Sequence, residues 1–304
     1  MDAVEIEKSL ESVRIGGVAF EKQRVGIVGL GRLGACLARA LTGARLGPLV
    51  VASGRASSAQ ALAVELGEVV RPVSLEALRE QADLVFLAVP DGKIAEVCDR
   101  LGLGSGHSVV HVSGALDAAV LESARARGAR VGVFHPLQAF PLGAPRSRFR
   151  GIHIGVDGDA EMEARLSKLA RRLGATPFSL RGVDRAAYHA AAVFASNYVV
   201  ALHAAATLAW QRAGLPEAAA RAALLPLTRG AVDAIAEHEL PDALTGPLQR
   251  GDVASLERHL AALAGDAQTE HLYRALACEL LRLPLSLDAA TRERLLWLLE
   301  RRTV

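Results

Sequence analysis

The chain has 304 residues, 51% hydrophobic and 22% charged, which supplies apolar material for two globular cores and excludes a disordered polymer. A formal charge of +2 and an aromatic share of 4% argue against a strongly steered nucleic-acid binder or a base-stacking platform, so no nucleic-acid partner is expected. Three scattered cysteines (Cys36, Cys98 and Cys278) argue against a disulfide framework and fit a reducing cytoplasm.

Residues 1–22 read as a mixed, acidic leader with no signal-peptide core. A short apolar run at 24–29 ends in glycine and reads as a buried parallel strand, followed by a helix over 32–41. Strand 49–52, helix 56–66, a short strand at 69–70 and a helix 75–81 capped by Ser74 come next. Strand 83–89 is stopped by Pro90. Helix 93–100, strand 108–112, helix 116–127 and strand 130–134 complete a βα repeat of the kind that builds a parallel sheet with helical crossovers. Residues 152–156, 160–173 and 176–180 read as a strand, a helix and a strand that extend the same sheet. After Arg181 strand signals stop and alanine- and leucine-rich helices run to the end. The predicted architecture is therefore α/β: a Rossmann-type, doubly wound, mostly parallel sheet over 23–182, then an all-α domain over 183–304. The longest apolar stretch, 186–210, carries His189, Asn197 and His203; it is expected to be a buried helix and not a membrane span.

Gly29, Gly31 and Gly34 form GxGxxG, with Leu30, Arg32 and Leu33 between them. The motif follows a strand and opens a helix, the context that marks a dinucleotide-binding turn. Gly29 makes the turn, Gly31 lets backbone approach a pyrophosphate, and Gly34 lets helix and strand pack closely, with the helix N-terminus facing the anion. At the end of the second strand an acid would hold a ribose 2′-hydroxyl. Here Ser53 and Arg55 stand instead, a pair suited to a 2′-phosphate, so NADP is favoured over NAD.

Val89 and Pro90, Ser113, and His135 with Gln138 end three successive strands at the carboxyl edge, where open α/β sheets bind ligands. Val89 and Pro90 are expected to shape the cofactor turn. Ser113 and Gln138 are expected to hydrogen-bond substrate. His135 is the candidate proton donor, the alternative being a histidine that caps a turn. On the helix from Asp184, His189, Ser196, Val200 and His203 share one face with Asn197 at its border; His189 and Asn197 are taken as candidate catalytic groups, the alternative being helix–helix hydrogen bonds. Thr245, Arg250 and Asp252 lie in a turn-rich connection and are substrate candidates, with a solvated loop as the alternative. Arg146, Arg148 and Arg150 read as a solvated basic loop. No His/Asp/Glu grouping has good metal-ligand spacing, and no metal is expected.

The ordered set of Gly29–Gly34, Val89-Pro90-Asp91, His111 to Ala115, Phe134 to Gln138, Tyr188 to Asn197 and Leu244 to Asp252 resembles a family of uncharacterised bacterial proteins. Its members join a Rossmann-like domain to a helical domain of unknown function and are labelled oxidoreductases by analogy. The resemblance implies NADP binding, a small-molecule substrate between the domains, and a homodimer built through the helical domain. More distantly, the layout is similar to pyrroline-5-carboxylate reductases and the β-hydroxyacid dehydrogenase superfamily. In the latter a lysine four residues before the asparagine does acid–base work; here that position is Val193, and the chain's four lysines (Lys8, Lys22, Lys93 and Lys168) lie elsewhere. The expectation is an NADP-dependent oxidoreductase of small, anionic imines or carbonyls, the alternative being a non-catalytic NADP-binding sensor.

Overall fold

A computed structural model describes residues 23–300, so the predicted leader 1–22 lies outside the described residues. The chain forms two compact units, Met1–Ser196 and Asn197–Val304.

The first unit is built on β1 (Val25–Val28), α1 (Arg32–Gly43), β2 (Leu49–Ala52), α2 (Ala56–Leu66), β3 (Val70–Pro72), α3 (Leu75–Gln81), β4 (Leu84–Leu87), α4 (Ile94–Leu101), β5 (Ser108–His111), α5 (Glu122–Ala126) and β6 (Arg130–Pro136). β7 (His153–Gly158), α6 (Ala160–Arg172), β8 (Thr176–Ser179) and α7 (Arg185–Ala195) follow. The eight strands lie in the order β3-β2-β1-β4-β5-β6-β7-β8. The first six have the doubly wound Rossmann order, reversing between β1 and β4. β1, β2, β4 and β5 are buried at every position, which is why the first three carry no polar side chain; in β5 the buried Val109 and Val110 lie between the buried polar residues Ser108 and His111. Two apolar clusters flank the sheet, one holding Ile27, Phe86, Phe134 and Leu166, the other Val50, Val85, Ile94 and Val133.

The sequence reading holds closely here, with two differences. The predicted helix over 116–127 is a 3-10 turn at Ala118–Leu121 running into the short α5. β7 pairs antiparallel to β6, His135 opposite Gly155. The connection between them carries only a 3-10 turn, Arg146–Phe149, too short for the helical crossover that a parallel neighbour requires.

Asp184 caps α7 by accepting from the amides of Ala186 and Ala187. Arg185, 8% exposed at its side chain, meets Asp157 of β7 at 2.5 Å and ties the helix to the sheet. The first unit consequently runs to Ser196, past the predicted boundary at 182.

The second unit holds α8 (Asn197–Arg212), α9 (Glu217–Glu237), α10 (Leu240–Ala243), α11 (Val253–Leu263), α12 (Ala267–Leu281) and α13 (Ala289–Glu300). Its core joins α11, α12 and α13 through Leu256, Leu281, Leu295 and Leu299. The expected buried helix over 186–210 is corrected in two ways. The helix breaks at Ser196 (φ −126°, ψ −70°), so the polar stripe from His189 to His203 is not one continuous face. Its apolar side chains are also uncovered: Val200 is 72% exposed, with Leu202 and Leu208 exposed beside it, because the described chain packs no core on that side. By length and composition alone, Arg185–Arg212 is long and apolar enough to cross a membrane.

Candidate functional site

A groove of about 660 Å³ opens at the carboxyl edge of the sheet, across the β1–β4 switch point. Its floor is the turn after β1. Gly29 has φ +93°, and a Cβ there would stand 2.5 Å from the Ala88 carbonyl oxygen. At Gly34 a Cβ would fall 1.9 Å from the Gly29 carbonyl oxygen, so helix and strand approach as closely as glycine allows. Gly31, at φ −69° and ψ −166°, is different: a Cβ there meets no protein atom within 4 Å. The fold itself therefore does not demand glycine at 31. The first turn of α1 presents its amides beside it with no side-chain cap. Leu30 and Leu33 pack down onto the core, while Arg32 is exposed.

Ser53 and Arg55 line the groove at the end of β2. The Ser53 Oγ accepts from the Arg55 amide at 3.2 Å, which leaves its O–H to donate. Of the other charged groups in the lining, Lys93 is paired with Glu96 at 2.7 Å and Arg100 stands 4.0 Å from Glu76. Among the described residues Arg55 has no carboxylate partner. Glu76, missed by the sequence reading, enters the lining because β3 and α3 fold beside β2. Val89 and Pro90 form the opposite lip, with Pro90 opening the 3-10 turn Asp91–Lys93.

The ends of β5 and β6 gather Asp91, His111, Ser113, His135, Tyr188 and His189. Ser113 is not available in the way expected: its O–H donates to the Asp91 Oδ2 at 2.7 Å, and its oxygen accepts from the amides of Ala115 and Leu116. It shapes the strand end. His111 is likewise committed, bonding the Asp117 carbonyl through Nε2 at 2.9 Å and accepting the Ser113 amide at Nδ1. Burial holds its pKa below the usual imidazole value.

His135 lies against Gly114, where a Cβ would stand 2.6 to 3.0 Å from three ring atoms. Its Nδ1 shares a hydrogen bond of 2.7 Å with the Tyr188 hydroxyl of α7. Burial lowers its pKa to about 4, helped by the like charges of His189 and Arg185 and opposed by Asp91. With its pKa that low, the ring is neutral at neutral pH, and any proton it offers there is that of a neutral imidazole N–H. Burial likewise pushes Tyr188 up to about 12, so it stays a phenol. Sequence reading missed Tyr188 because its partner is 53 residues away. His189 stands edge-on to His135 with ring centres 6.4 Å apart, and its buried Nδ1 has no partner among the described residues. The exposed Gln138 turns its Oε1 back to the Ala139 amide.

The remaining candidates belong to the second unit. Asn197 opens α8 and is exposed, as are Thr245 and Arg250. Asp252 caps α11, accepting from the Ser255 amide and hydroxyl, so its role is structural. His203 bonds Thr228 at 2.7 Å, a helix–helix contact within that unit. Among the described residues no group of three or more His, Cys, Asp or Glu could hold a metal.

Two family models match successive parts of the chain, the second running across the boundary between the two units. Residues 24–114 match the family described as NADP oxidoreductase, coenzyme F420-dependent, and residues 152–280 match a domain of unknown function, DUF2520. A Bacteroides fragilis protein provisionally assigned as an NADP oxidoreductase is similar at 26% identity and TM-score 0.72, over 86% of this chain and 99% of its own. A Thermotoga maritima protein is similar at 26% identity and TM-score 0.67, over 84% and 96%. The fold is shared with a Plasmodium falciparum pyrroline carboxylate reductase solved with NADP bound (15% identity, TM-score 0.60, 92% and 99% covered). No curated protein matches the chain by sequence. The chain thus has the architecture of NADP oxidoreductase folds, with the domain of unknown function taking in the last two strands of the sheet and most of the helical unit.

Proposed function

We propose that the chain binds NADP(H) in the β1–β4 groove and reduces or oxidises a small, anionic imine or carbonyl compound. The observation that carries this reading is Gly31. It occupies ordinary negative φ in open space, at an uncapped helix N-terminus, in a groove that ends on Arg55. A glycine the fold does not need, placed where backbone amides face outward, fits the close approach of a pyrophosphate. Arg55, without an acid partner, fits the 2′-phosphate, and Ser53 adds a donor. Bound there, the cofactor would supply or accept a hydride at its nicotinamide ring. The chain's part is to hold the phosphates at Gly29–Gly34, to shape the groove with Val89 and Pro90, and to bring His135 to the β6 end.

Calorimetric titration of the full chain with NADPH and NADH tests the cofactor. Tight NADPH and weak NADH binding is expected; binding of neither overturns the reading. A screen of cyclic imines and keto acids with NADPH then tests the chemistry. Cofactor binding with no turnover of either class would leave a dinucleotide-binding module in place of an enzyme.

The uncovered apolar face over α8 and α9, with Val200, Leu227, Val232 and Ile235 each more than half exposed, is read as the contact between two copies of the chain. His203 and Thr228, bonded within that helix pair, favour a protein neighbour over lipid. Light scattering is expected to give twice the 31.9 kDa of one chain. A monomer in buffer that partitions into detergent or vesicles would overturn the dimer.

A further inference from the structure

The pairing of His135 and Tyr188 is not explained by cofactor binding, and it settles which hydrogen atom the site offers. A neutral imidazole carries one proton, on Nδ1 or on Nε2, and the hydrogen bond made by one nitrogen decides the state of the other. Here Nδ1 is held at 2.7 Å from the Tyr188 hydroxyl. Two directions are open, O–H to Nδ1 or Nδ1–H to O. A phenol O–H is by far the stronger acid of the two donors and an imidazole nitrogen the stronger base of the two acceptors, so the hydroxyl donates. Of the neighbouring groups, Asp91 accepts from Ser113, and His111 bonds the Asp117 carbonyl and the Ser113 amide; His189, its ring centre 6.4 Å away, and Arg185 make no hydrogen bond to the ring. Nε2 has no hydrogen-bond partner among the described residues.

We infer that Tyr188 is a positioning residue that locks His135 in the Nε2–H tautomer, making the imidazole a neutral hydrogen-bond donor at the carboxyl edge of the sheet. Gly114 completes the device, since the ring lies where any side chain at 114 would stand. A fixed neutral N–H cannot act as a strong acid. It polarises a group that accepts, namely a carbonyl oxygen or the lone pair of an unprotonated imine, and it mismatches an iminium, which has no lone pair to offer. That statement of substrate class rests on the oxidoreductase reading; the tautomer itself does not.

The test uses the full chain with ring-¹⁵N histidine and long-range ¹H–¹⁵N correlation at neutral pH, with His135→Gln assigning the signal. The expected spectrum shows Nδ1 unprotonated and Nε2 protonated. In Tyr188→Phe the ratio of the two tautomers is expected to fall roughly fivefold to tenfold, toward that of a free imidazole, as one hydrogen bond is lost. Nδ1–H in the native protein overturns the inference, and so does an unchanged ratio in the variant. Should Tyr188→Phe fail to fold, the native spectrum alone decides the direction of the bond. Adding NADPH separates the two readings: an Nε2–H signal in a protein that does not bind NADPH upholds the tautomer and defeats the oxidoreductase proposal.

Discussion

The two glycines at the start of α1, Gly31 at its N-cap and Gly34 within its first turn, should respond differently to alanine. At Gly31 the backbone is at φ −69° and an added Cβ meets no protein atom within 4 Å. Alanine there loses less chain entropy on folding but gives up glycine's advantage at a helix N-cap, two effects of similar size, so apo Gly31→Ala is expected to stay within about 1 kcal/mol of the native chain. The same methyl group would stand where a pyrophosphate approaches, and an overpacking cost of about 1–3 kcal/mol weakens NADPH roughly 5- to 150-fold. At Gly34 the Cβ falls 1.9 Å from the Gly29 carbonyl oxygen, with the Ala88 Cβ at 3.1 Å on the other side. Neither neighbour is a flexible side chain, so α1 itself must move by roughly 1 Å or more, a cost at or above the same overpacking range of ~1–3 kcal/mol. Gly34→Ala should lose both stability and binding. Both tryptophans, Trp210 and Trp297, are in the second unit, so their fluorescence reports the wrong half. Hydrogen exchange of the β1–α1 peptides, with calorimetry for NADPH, is the proper assay. If Gly31→Ala bound NADPH as tightly as the native chain, no phosphate would approach that backbone, and the argument from Gly31 would be refuted.

Arg55→Ala should weaken NADPH about 10- to 100-fold, the range of a charge-assisted hydrogen bond, while NADH affinity stays within about twofold; equal losses for both would remove Arg55 from the 2′-phosphate. Arg185→Met strands Asp157, only 19% exposed, without its cation, and should cost about 3–5 kcal/mol; adding Asp157→Leu should recover most of it, and a double variant as unstable as the single would contradict this. The acid side is set by His135. Its folded pKa of about 4 lies below the unfolded value near 6.5, so the unfolded chain binds the proton first and stability falls as pH drops from about 6.5 to 4. The full loss is on the order of 3 kcal/mol, with the lowered pKa of His111 acting in the same direction. His135→Gln should flatten the urea midpoint across that window; an unchanged slope would show the ring to be charged in the folded state.

What the sequence made legible was whatever is encoded locally. GxGxxG announces its turn because each glycine answers a demand made within a few residues. Runs without polar side chains at β1, β2 and β4 announce buried strands because both faces are covered. The α3 cap at Ser74 was readable for the same reason, its Oγ accepting the Ala77 amide three residues on. Contacts over long separations were not. Tyr188 beside His135, Arg185 on Asp157 and Glu76 in the groove each depend on where α7 or α3 lands on the sheet. The buried-helix expectation for 186–210 failed on a different ground: apolar composition says that a face seeks cover, and not whether this chain or another supplies it.

The commitments at the carboxyl edge narrow what the site can do. Ser113 and His111, which look from sequence like a hydroxyl and an imidazole facing a substrate, spend their polar atoms on Asp91, Asp117 and nearby amides. Position 193 on α7 is valine and not lysine, and His135 is held neutral, so neither supplies a cationic acid. What His135 offers is a preset hydrogen bond. Such a donor needs no reorganisation as charge develops on a substrate atom. A carbonyl reduction assisted in this way would leave an alkoxide, which takes its proton from water after the carbon–hydrogen bond has formed. It should therefore show little dependence of rate on pH between about 6 and 9, where neither His135 nor Tyr188 changes charge.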